Sequence, residues 1–61
     1  MITTYHLHAI GVATIFTGTL NEAIEEAKKI DEEYQRFGGV TISTEGGDVL
    51  ATVEDGEVEI N

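Results

Sequence analysis

One segment alone carries apolar residues at helical spacing, and this narrows the fold more than any other feature. Leu20, Ala23, Ile24, Ala27, Ile30, Tyr34 and Phe37 recur at intervals of three and four, which lines them along one stripe of an α-helix. Thr19 stands just before the stripe with Glu22 three positions on. That is the spacing of a capping box, in which each side chain accepts an otherwise orphan backbone N–H of the other residue. Gly38 follows as the left-handed C-cap. The helix is predicted over 20–37. A lone helix has to bury its stripe against another element, and the chain on either side of it is of strand type, so a sheet is the partner it can find.

The N-terminal segment "TTYHLHAIGVATIFT" is rich in β-branched and aromatic residues and is interrupted once, at Gly11. It predicts strands over 2–8 and 12–17 with a turn at Ala9–Gly11, in a loop of either two or three residues. Tyr5 and Leu7 share one face of the first strand, and His6 and His8 share the other. After the helix, "VTISTEGGDVLATV" predicts a hairpin with Gly46–Gly47 at the tip of a two-residue turn. In "ATVEDGEVEI", Asp55–Gly56 is the stronger signal, for a type I′ turn. Pairing across these turns sets Thr44 opposite Val49, Ile42 opposite Ala51 and Val40 opposite Val53. It then sets Val53 opposite Val58 and Ala51 opposite Ile60. All fall on one face, so the register supports itself. The expected class is α+β: a single helix packed on one face of an antiparallel sheet, in ββαβββ order. The other face collects Thr41, Ser43, Glu45, Asp48, Leu50, Thr52, Glu54, Glu57 and Glu59.

A chain of 61 residues makes one domain, 1–61. At this size only about 60% of the unfolded surface is buried, which leaves little room for a core and an enclosed cleft together. The absence of cysteine removes disulfides and thiolate metal sites. The start "MITTYHLHAIGVATIF" lacks the basic region of a signal peptide, and no apolar run approaches the roughly 20 residues that span a bilayer. A cytoplasmic protein is the expectation.

Charge is the strongest functional signal. Twelve acids face three bases, for a formal net charge of −9. This excess argues against direct binding of nucleic acid or an anionic membrane and favours a basic partner. The charge is also segregated. Residues 1–21 carry no Asp, Glu, Lys or Arg, and all three bases (Lys28, Lys29 and Arg36) lie on the helical segment among Glu22, Glu25, Glu26, Asp31, Glu32 and Glu33. Residues 40–61 hold Glu45, Asp48, Glu54, Asp55, Glu57 and Glu59 and no base.

Strand periodicity puts Glu57 and Glu59 on one face, about 6.8 Å apart at 3.4 Å per residue. Glu54 is expected to face Glu57 across one turn, and Glu45 to face Asp48 across the other. Like charges set opposite one another cost stability, so selection for stability alone more often alternates the signs. The spacing is comparable with that of phosphates along a nucleic-acid strand, and the face could occupy a groove that normally holds them. A plainer role is a solvated edge kept acidic against aggregation. The helix acids, by contrast, are interleaved with bases, and Glu25–Lys29 is a favourable i,i+4 pair.

Other residues point to chemistry more weakly. His6 and His8 could share a metal, but only carboxylates are left to complete the ligand set. Asp31 falls inside the apolar stripe, either at a margin where it reaches water or a hydroxyl, or at a contact surface. Ser43 has no assembled base, and "EGGD" joins strand to strand as a hairpin turn rather than cradling a phosphate. No enzyme activity and no cofactor are expected. The uncharged hairpin 1–17 lacks the Lys or Pro that usually blunts an edge, which opens self-association or strand addition by a partner.

With its ββαβββ order, the capped helix "TLNEAIEEAKKIDEEYQRFGG" and the tail "VTISTEGGDVLATVEDGEVEI", the chain resembles small phage and mobile-element proteins. Among these it is most similar to the short, acidic anti-CRISPR proteins directed at type I systems. The likeness lies in size, element order and acidity. It implies inhibition by DNA mimicry: carboxylates set where phosphates would go block target-DNA binding by a type I CRISPR effector complex, in the host cytoplasm if the protein is phage-encoded. The expected partner is then a basic nucleic-acid-binding protein, met through Glu45, Asp48, Glu54, Asp55, Glu57 and Glu59, with Glu25 and Glu32 in support. β-grasp immunoglobulin-binding domains share ββαββ, but this chain adds a fifth strand. The alternative is a small self-associating structural domain, natural or designed, forming a homodimer through its N-terminal hairpin.

Overall fold

The computed structural model describes residues 2–34 and 39–61. It contains strands β1 (Thr3–Ala9) and β2 (Val12–Gly18), helix α1 (Leu20–Tyr34), and strands β3 (Val40–Thr44), β4 (Val49–Glu54) and β5 (Glu57–Ile60). The five strands form one antiparallel sheet in the order β2-β1-β3-β4-β5, so the expected ββαβββ, α+β architecture is present. The predicted last turn of the helix, with Phe37 and the Gly38 cap, lies outside the described residues, as does the side chain of Tyr34.

The capping box forms as its spacing requires. The Thr19 N–H donates to Glu22 Oε1 at 2.9 Å, and the Glu22 N–H donates to Thr19 Oγ1 at 3.2 Å. From this start the helix runs over β1, β2, β3 and β4. It buries Ala23, Ala27 and Ile30 against Tyr5, Leu7, Val40, Ile42, Ala51 and Val53. Two alanines at the centre of the contact let the helix backbone sit close to the sheet. The central pairing is β1 with β3, where Leu7 stands opposite Ile42. Both are fully buried, and this pair welds the N-terminal hairpin to the three C-terminal strands. Gly39 leads into β3 with φ +69°, and a Cβ there would collide with the Val53 carbonyl oxygen, so only glycine fits.

Both C-terminal hairpins form, but with different turns. Asp55 (φ 51°) and Gly56 (φ 80°) are both left-handed, as a type I′ turn demands, and Glu54 pairs with Glu57. The expected two-residue turn at Gly46–Gly47 is instead a four-residue loop, 45–48. It is closed by the Thr44 N–H on the Asp48 carbonyl (2.9 Å), the Gly47 N–H on the Thr44 carbonyl (3.0 Å) and the Asp48 N–H on Thr44 Oγ1 (3.2 Å). The register follows prediction from Val40–Val53 to Ile42–Ala51 and then slips at a bulge, so that Val49 faces Ser43 rather than Thr44. The extra residue exchanges two environments. Val49, expected in the core, is 42% exposed, while Leu50 is half-buried and packs against the core. In the first hairpin the loop has two residues, Ile10 and Gly11, and seven consecutive pairs join β1 to β2.

Candidate functional site

Of the eight acids singled out from sequence, the fold gathers four. Glu54 and Glu57 are direct partners across the β4–β5 turn, Glu59 stands opposite Thr52, and Asp55 is in the turn itself. Strand alternation sends Glu54, Glu57 and Glu59 to the face away from the helix, because Val53 and Val58 take the other side. Together with Thr52 and Val58 these acids line an open depression of about 530 Å³. All four carboxylates are exposed. No hydrogen bond or ion pair among the described residues uses them.

The other four do not join them. Glu45 and Asp48 lie in the loop at the opposite end of β4, roughly 20 Å from Asp55 at strand rise. They do not form the cross-strand pair expected of them, because the turn is two residues longer. Glu25 and Glu32 are exposed on the helix, on the far side of the sheet from Glu57 and Glu59. The described residues hold one ion pair, Lys28 with Glu25 at 3.7 Å (i,i+3), in place of the expected Glu25–Lys29.

Asp31 has a role that its place in the stripe did not reveal. It is 7% exposed, and its Oδ2 accepts the Gly56 N–H at 3.1 Å. The carboxylate thus ties the helix to the tip of the acidic hairpin, through a backbone N–H rather than the hydroxyl or contact surface expected of it. The contact spans 25 residues, and the polar residue inside an apolar stripe was its only trace in the sequence.

The open sheet face changes character from edge to edge. The row Ala13–His8–Thr41–Thr52–Glu59 crosses all five strands. It runs from an uncharged edge through hydroxyls to the acids. His6 and His8 stack with ring centroids 6.0 Å apart. Among the described residues no group of three His, Cys, Asp or Glu is arranged to hold a metal. Ser43 is buried, and its hydroxyl donates to the His6 carbonyl at 3.5 Å, a contact that belongs to the β1–β3 seam. Among the described residues no helix is long and apolar enough to cross a membrane. No family model, curated protein or solved structure matches the chain.

Proposed function

We propose that the protein is an acidic binding module that seats its β4–β5 hairpin in a cationic groove of a nucleic-acid-binding protein and so acts as a DNA mimic. In its fullest form the reading is an anti-CRISPR protein that blocks target-DNA binding by a type I CRISPR effector complex. One observation carries it: Glu54, Asp55, Glu57 and Glu59 share an exposed depression, and among the described residues no cation is paired with them. A stretch shaped by folding stability alone would more often alternate the signs than set Glu54 directly against Glu57. The reading rests on these four of the eight acids, since Glu45, Asp48, Glu25 and Glu32 lie elsewhere in the fold.

The test is the affinity of the protein for a purified type I effector complex, titrated without DNA as a function of salt. Carboxylates replacing phosphates release counterions from the cationic groove, so affinity weakens by roughly tenfold or more between about 50 and 200 mM salt. Affinity that is flat with salt defeats the reading.

A further inference from the structure

We propose that β2 pairs antiparallel with β2 of a second copy of the chain, joining two sheets into one of ten strands. This inference is independent of what the acidic hairpin binds. β2 is a sheet edge, and its seven residues, Val12–Gly18, include no charge, no proline and no bulge. Those are the devices that keep an edge from pairing.

The register of the first hairpin says which groups are free. Ala9 and Val12 close a two-residue loop and are therefore a hydrogen-bonded pair. Bonded and non-bonded pairs alternate along an antiparallel ladder. Val12, Thr14, Phe16 and Gly18 accordingly spend their backbone groups on β1, while Ala13, Ile15 and Thr17 point theirs out of the sheet. A two-fold axis through Ile15 makes these three residues self-complementary: Ile15 meets Ile15 of the second copy, and Ala13 meets Thr17 on either side. The three pairs are all of the hydrogen-bonded type. On the open face Ile15, now 66% exposed, gains its own counterpart as an apolar neighbour.

Charge placement selects this edge and a second copy as its occupant. The protein carries a net charge of −9, so most contacts between copies are repulsive. The β2 strand itself carries no charged residue. In the joined sheet the two β5 strands are the outermost, nine strand steps or about 43 Å apart at 4.8 Å per step. That is several times the Debye length of about 8 Å at physiological salt. The two helices come to lie on one side of the sheet, and the two open faces become continuous on the other.

Sedimentation equilibrium from low-micromolar to millimolar concentration, with amide exchange by NMR over the same range, tests the pairing. The expected result is a monomer–dimer equilibrium in which the amides of Ala13, Ile15 and Thr17 become protected as concentration rises. Those of Thr14 and Phe16 are protected throughout. Ile15→Lys sets two like charges at the two-fold axis and weakens the dimer by about 100-fold or more. Ile60→Lys adds the same charge at the other edge and leaves the dimer intact. A monomer at every concentration, a dimer that survives Ile15→Lys, or a dimer whose three outward amides stay unprotected overturns the proposal. If Ile15→Lys does not fold, the amide protection of the wild-type chain decides.

Discussion

At one edge of the sheet β2 runs seven residues without a charge; at the other, β5 runs four with a carboxylate at every second position. Both edges expose backbone groups, but they deal with that exposure differently. β5 is short and acidic, two devices that keep an edge solitary. It also sits at the margin of the helix, so Val58 and Ile60, although they point to the helix side, remain 36% and 58% exposed. β2 is long, paired along its whole length with β1, and braced by Phe16, which packs against the core. Solubility is therefore concentrated at the edge with little burial, and apolar surface at the edge with none of the charge. A uniform sprinkling of the same twelve acids would have protected both edges and concentrated charge at neither.

The helix links the two edges, and the comparison breaks most sharply where that link is cut. Asp31→Ala removes the acceptor that holds the Gly56 N–H while leaving β2 untouched. Loss of a hydrogen bond to a buried carboxylate costs about 1–3 kcal/mol. For a domain this small that lowers Tm by roughly 5–20 °C. Thermal denaturation gives the size of the loss, and amide exchange gives its location. Faster exchange across β4 and β5, with the β1–β2 amides unchanged short of global unfolding, is the expected pattern. Asp31→Asn keeps an acceptor and recovers part of the loss. Uniform acceleration in all five strands would mean that Asp31 supports the whole fold rather than one edge.

Thr19→Ala acts at the other end of the helix, where the chain leaves β2. It deletes the acceptor for the Glu22 N–H and costs about 1 kcal/mol. Exchange should rise in the first helical turn and leave the β4–β5 turn as it was. The pair of variants thus resolves whether the helix holds the two edges separately.

Where sequence reading succeeded, the signal was local. The capping box, the helix stripe from Leu20 to Ile30 and the Asp55–Gly56 turn are decided within a few residues by backbone chemistry, and each formed as read. The Gly46–Gly47 turn failed because the Thr44 hydroxyl offers the Asp48 N–H a partner that a two-residue turn would not use. One bulge then moved Val49 out of the core and Leu50 toward it. The pairing of β1 with β3 and the reach of Asp31 to Gly56 depend on segments 25 residues or more apart, and periodicity carries no information at that range. Half of the candidate site was legible for the same reason. Glu54, Asp55, Glu57 and Glu59 are tied by one tight hairpin, whereas Glu25, Glu32, Glu45 and Asp48 could be placed only once the layers and the strand ends were known.

The smallest expected effect on stability is the one that bears most on what the acids are for. Glu54→Gln, Glu57→Gln and Glu59→Gln together remove three exposed charges, including the facing pair Glu54–Glu57. Relief of that repulsion raises stability by a few tenths of a kcal/mol, and the gain shrinks as added salt screens it. Melting temperatures at low and high salt measure the effect. If these carboxylates are also what keeps β5 solitary, the triple variant in an Ile15→Lys background should begin to self-associate through β5, because the one blocked edge has been exchanged for the other. The same variant weakens inhibition of effector–DNA binding, whereas Lys28→Gln with Lys29→Gln, which makes the protein more acidic on the helix, does not. A triple variant that melts as the wild type does at low salt, stays monomeric in the Ile15→Lys background and inhibits fully would reduce the β5 acids to plain solvated surface. The two edges would then differ in sequence without differing in consequence.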